Sequence, residues 1–250
     1  RRHHDRRLLW PAGRYSLVLI AYKIQSEKEG SFMSWVLSLD NAILNAIQRL
    51  RCPLLDWFMP LYSRLGDHGM VCIALAALLL LFPKTRRAGE AMALALVLCL
   101  FSGNLFLKPI VARVRPYEAN QFVGLLVPPL GDFSFPSGHT FSCVAAAFVL
   151  FHYHKKAGIA AWLAAALMAF SRLYLYVHYP TDILGGLLLG VAAGFLACRL
   201  TERARRSRRL NSLSARRLLI PNRPNAAPKR RRSNRGAGKT IRFRQRRRRL

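Results

Sequence analysis

The chain of 250 residues is 52% hydrophobic yet carries a formal charge of +29. Residues 1–32 hold 7 Lys/Arg against 3 Asp/Glu, residues 33–200 hold 13 against 7, and residues 201–250 hold 20 against 1. An apolar body with a basic tail excludes a uniformly basic globular domain and a wholly disordered chain, and points to a membrane protein.

Residues 1–32 form a basic extension whose apolar run, 17–22, is too short to cross a bilayer or to serve as a signal sequence. A natural start at Met33 is expected, with 1–32 as upstream sequence or an artefact. Over 33–50, Val36, Leu39, Ile43, Ile47 and Leu50 share one helical face, while Asp40, Asn41, Asn45 and Gln48 lie off it. That spacing predicts an amphipathic helix, lying in the membrane interface or packed on the body.

Five apolar stretches follow, at 69–82, 88–107, 138–153, 157–177 and 183–198. A span needs roughly 20 residues, so 88–107 and 157–177 suffice alone and the others need a turn of polar neighbours. So many such stretches leave too little polar surface to cover them in water. The predicted fold is all-α: a polytopic membrane helix bundle of five transmembrane helices plus the N-terminal interfacial helix. Lys84, Arg86 and Arg87, then Lys155 and Lys156, then the tail fall on one side of it, which the excess of cations makes cytoplasmic. The connections 108–137 and 178–182 fall on the opposite side. Gly186, Gly190 and Gly194 make a stripe expected to pack against the third or fourth span. The tail, 201–250, is expected to be a disordered polycation, to hold anionic lipid headgroups or, less readily, nucleic acid, or to be out-of-frame translation. Cys52, Cys72, Cys99, Cys143 and Cys198 show neither CxxC nor zinc-ligand spacing and read as small buried hydrophobes.

Three segments at the outer ends of the spans concentrate the ionisable residues: Lys108 to Pro116, Phe135 to His139, and Ser171 to Asp182. A seven-residue spacing is close to two helical turns, so Lys108 with Arg115, and Ser171 with His178, would point the same way if helical. Arg115 and Arg172 as forks and Lys108 as a point charge suit an oxyanion. Ser137 reads as the cap of a helix whose start, with Gly138 admitting a close approach, favours a phosphate. Thr181 reads as the cap of the fifth span, and Asp182 can hold one nitrogen of His178 so that the other is presented as a nucleophile.

These blocks resemble the type 2 phosphatidic acid phosphatase superfamily, with its K-x6-R-P, P-S-G-H and S-R-x5-H-x3-D signature. Lys108, Arg115 and Pro116, Pro136 to His139, and Ser171, Arg172, His178 and Asp182 match every defined position. Gly66-Asp67-His68-Gly69 also resembles small bacterial members. The resemblance covers residues 33–200 and implies a lipid phosphatase, without metal or cofactor. It implies that His178 attacks phosphorus to form a phosphohistidine, that Asp182 orients it, and that His139 protonates the leaving oxygen. Lys108, Arg115, Ser137, Gly138 and Arg172 would hold the phosphoryl oxygens. Undecaprenyl diphosphate, phosphatidylglycerophosphate and phosphatidate remain open as substrates, met at the outer face of the plasma membrane. A transporter or channel would also place charges at a membrane mouth, but no inverted repeat is visible. A membrane protein that binds nucleic acid would rest on the tail alone.

Overall fold

The computed structural model describes residues 31–122 and 124–219, so the expectations for 1–30 and for 220–250 lie outside the described residues. Among the described residues every regular element is helical.

Helix α1, Ser31–Gln48, leaves Trp35, Leu39 and Ile43 exposed and buries Leu44 and Asp40. Asp40 therefore does not belong to a solvated polar side: it faces the protein beside Leu44, while Trp35, Leu39 and Ile43 face outward. Helices α2, Pro53–Arg64, and α3, Met70–Leu81, meet at a bend of 43°. Pro53 and Pro60 interrupt the apolar run of α2, which periodicity alone does not distinguish from a loop. The bend is local backbone geometry, because His68 and Gly69 both take left-handed conformations with φ of 53° and 70°.

Helix α4, Arg86–Cys99, continues as a π-helical stretch, Leu100–Leu107, and one further turn, Lys108–Val111. The left-handed Ala112 (φ 47°) then ends it. Helix α5 is Gly138–Tyr153, α6 is Lys155–Tyr174 and α7 is Pro180–Leu219. By length and composition Arg86–Ala119, Lys155–Tyr174 and Pro180–Ser212 are able to cross a membrane, and the bent pair α2–α3 is a fourth candidate. The stretch at 69–82 is thus not a span by itself. It is the second arm of the bent pair, which is long and apolar enough to cross only together with α2. Helix α5, with 16 residues, rises about 24 Å, short of a hydrocarbon core of about 30 Å.

Shortness suits α5 because its neighbours cover it. Phe141, Ala145, Ala146, Val149 and Leu150 are buried against Ala91, Met92, Ala95 and Cys99 of α4 and Ala193, Ala197 and Cys198 of α7. The stripe on α7 faces α5: a Cβ at Gly190 would come within 2.8 Å of the Val144 side chain, and one at Gly186 within 2.9 Å of the Ser137 carbonyl. Apolar side chains gain little from meeting each other in lipid, so close backbone approach supplies the contact energy. The compact body ends at Ser207. Helix α7 continues to Leu219, past Thr201, where a disordered tail is expected; Ala, Leu and Arg are good helix formers, which a search for apolar periodicity overlooks. From Arg208 the chain belongs to a second unit, described only through the end of this helix.

Candidate active site

The three ionisable segments converge, although not by the helical register their spacing suggests. Ala112 breaks the helix between Lys108 and Arg115, so Arg115 arrives on non-helical backbone. Helix α6 likewise ends at Tyr174, and a turn with Tyr176 at φ 59° carries the chain to His178. That turn is fixed by packing. Tyr176 stacks on Phe122 with centroids 4.3 Å apart and accepts a hydrogen bond from Asn120 Nδ2 at 2.9 Å.

Lys108, Arg115, Gly138, His139, Arg172 and His178 all line one cavity of about 650 Å³. His178 is buried, with Nε2 at 3.3 Å from Arg115 Nη1. Burial first, then the charges of Arg115, Arg172, Lys108 and His139, push its imidazole well below the ordinary 6.5, so it stands neutral at physiological pH. Arg172 is buried, donates from Nη1 to Ser63 Oγ, and leaves Nε without a partner. His139 meets Asp67 Oδ1 at 3.0 Å through Nε2, and Asp67 stands at the α2–α3 break. Gly138 brings bare backbone to within reach of the cradle: a Cβ there would lie 4.0 Å from Lys108 Nζ.

Ser137 and Asp182 are fully buried and are not among the cavity-lining residues. Ser137 occupies the cap position of α5, but its hydroxyl makes no capping bond; it accepts from Thr140 Oγ1 at 3.1 Å, and its N–H donates to the Asp182 carbonyl at 3.2 Å. Asp182 Oδ2 is 3.5 Å from His178 Nδ1, longer than a good hydrogen bond. It accepts instead from Ser134 Oγ and, at 2.8 Å, from the Tyr179 N–H.

Several side chains here carry no signal in the spacing of the signature. Arg113 Nη1 donates to Asp182 Oδ1 at 2.6 Å, and its Nη2 donates to Asp40 Oδ2 at 2.7 Å. Asp40 also accepts from the Thr181 N–H at 3.0 Å, so a carboxylate from α1, rather than the Thr181 hydroxyl, caps the start of α7. Asp132, on the loop before α5, binds both Lys108 and Arg115. Burial opposes its ionisation, but Arg115 and then Lys108 outweigh that and bring its pKa down to about 2. Among the described residues no three His, Cys, Asp or Glu side chains converge as metal ligands.

Away from the charges the same cavity turns apolar, between Ile73, Ala77 and Leu80 of α3 and Ala93, Leu96 and Val97 of α4. One chamber therefore offers cations at one end and hydrocarbon at the other.

A family profile described as the PAP2 superfamily matches residues 84–206. An undecaprenyl-diphosphatase of Sulfolobus acidocaldarius is 33% identical over 144 residues, 57% of this chain and 69% of that one. Phosphatidylglycerophosphatase B of Bacillus subtilis is 33% identical over 191 residues, 69% of this chain and 88% of that one. Among solved structures, a transmembrane PAP2-type phosphatidylglycerolphosphate phosphatase from Bacillus subtilis superposes with a TM-score of 0.57 at 30% identity, covering 75% of this chain and 95% of the other.

Proposed function

The chain belongs to the PAP2 superfamily, and from that premise we propose that it hydrolyses a lipid phosphate by way of a phosphohistidine on His178. The observation that carries this reading is the position of His178 Nε2, 3.3 Å from Arg115 Nη1 in a chamber that Lys108, His139 and Arg172 also line and that is apolar between α3 and α4.

His178 Nε2 supplies the electron pair for a new P–N bond while the bond from phosphorus to the leaving oxygen breaks. His139, when protonated, gives that oxygen its proton. Water then attacks phosphorus from the vacated side, gives a proton to His139, and returns His178 free with inorganic phosphate. Lys108, Arg115, Arg172 and the backbone at Gly138 neutralise the charge on the phosphoryl oxygens, the main demand of this reaction class. Ser137 acts from behind, through its contact with the Asp182 carbonyl. Asp182 orients His178, its 3.5 Å separation shortening as substrate draws the imidazole into line.

The apolar arm of the cavity favours a phosphorylated lipid over a soluble ester. Undecaprenyl diphosphate, phosphatidylglycerophosphate and phosphatidate all meet that chemistry. Counting α5 beside the bent pair and the three long helices gives five crossings, and the cation-rich connections on one side support a site at the extracytoplasmic face of the plasma membrane. Helix α1 then lies in the outer interface, and the basic end of α7 meets anionic headgroups within the membrane's inner surface field.

The test is phosphate release from those three lipids by purified protein. His178→Ala should lose on the order of a thousandfold or more in kcat while remaining folded, and EDTA should leave the wild-type rate in place. Wild-type turnover in His178→Ala would end the mechanism.

A further inference from the structure

The place a phosphate would take is already held by a carboxylate. Asp132 presents Oδ2 to Lys108 Nζ and Oδ1 to Arg115 Nη2, the latter at 2.5 Å. Both cations are buried, whereas the Asp132 side chain is 51% exposed, so it reaches in from the open side of the chamber. Arg115 has no donor to spare. Its Nε gives to the Asp132 carbonyl at 2.8 Å, Nη1 to the Val177 carbonyl at 2.7 Å and towards His178 Nε2, and Nη2 to Asp132 Oδ1 and the Phe133 carbonyl. Every N–H direction of the guanidinium is therefore taken.

A phosphoryl oxygen can reach Arg115 only by displacing one of these acceptors. The carbonyls of Asp132, Val177 and Phe133 are held by the backbone. The carboxylate is the acceptor that can swing into water, and an anion entering between Lys108 and Arg115 would repel it. Its departure also exchanges one anion for another, so the buried cations are never left uncompensated, a strongly unfavourable state for a buried charge.

We propose that Asp132 is a built-in competitor for the phosphoryl site: it holds Lys108 and Arg115 when the site is empty, gives way to substrate, and returns to help expel inorganic phosphate. This rests on the phosphatase reading above. The competition should weaken binding of every anion that uses the Lys108–Arg115 pair, the product included, and so protect turnover from product inhibition.

The experiment measures inhibition of phosphatidate hydrolysis by inorganic phosphate in mixed micelles, for wild type, Asp132→Asn and Asp132→Glu. Asp132→Asn removes the charge and keeps the shape. Its inhibition constant for phosphate should fall about tenfold or more, KM should fall with it, and kcat should drop as release slows. Asp132→Glu keeps the charge and should restore most of the wild-type tolerance. If Asp132→Asn is not recovered folded, Asp132→Ser carries the same expectation. An unchanged or higher inhibition constant in these neutral variants, with wild type active and inhibited by phosphate, overturns the competition alone. A wild type that neither hydrolyses the lipids nor binds phosphate overturns the phosphatase reading as well.

Discussion

His178 lies among cations, and that company decides both its reactivity and its pH dependence. Because burial and the nearby charges hold its imidazole well below 6.5, the proposed nucleophile stays unprotonated as pH falls through the ordinary histidine range. The acid limb of kcat/KM that reports His178 should therefore lie well below 6.5. Replacing Arg115 with Gln removes one of the charges that disfavour protonation, so the same limb should move to higher pH, alongside the loss in rate. A pH profile of both proteins checks this, and a limb that stays in place or moves to lower pH would contradict the assigned electrostatics. At this scale much of the site is legible in the sequence, since Lys108, Arg115, His139, Arg172 and His178 fall in three short blocks and line one cavity. Asp132 and Arg113 are not legible. Asp132 stands just before a recognised block and Arg113 at an undefined position inside one, and the meaning of each lies in partners that spacing cannot supply.

Among the elements, α1 contributes most beyond its apparent role. Amphipathic spacing predicts its helix but assigns Asp40 to a polar side, whereas the side chain is 1% exposed and tied to Arg113 and to the start of α7. A helix that reads as lying in the interface or packed on the body thus reaches Asp182 through one intermediary. Asp40→Ala should remove one of the two buried carboxylates that hold Arg113, leaving Asp182 as the other, and cost about 1–3 kcal/mol. It should lower kcat more than KM, because the substrate cradle itself is untouched. Thermal unfolding and steady-state kinetics together test this, and a variant with wild-type kcat would detach α1 from the reaction. The missed α2 and the extended α7 have the opposite origin. There the sequence is helix-compatible, but Pro60 in one and a row of arginines in the other hide the helix from a reading based on apolar stretches.

For the molecule as a whole, the proposed five crossings assign each connection to one side of the membrane. On a background without native cysteines, a probe at Gln121 should be labelled from outside intact cells, and one at Thr85 only after the membrane is opened. Labelling of Thr85 from outside would invert the topology and move the site to the cytoplasm.

The apolar arm of the chamber is lined by α3 and α4, and Ile73 and Val97 on it are exposed. A lipid substrate that entered between those two helices would stay within the leaflet. Its encounter rate is then set by its mole fraction in the two-dimensional film around the protein, and not by its concentration per litre. Diluting the lipid with inert amphiphile at constant bulk concentration should slow the enzyme, and its Michaelis constant belongs in surface units.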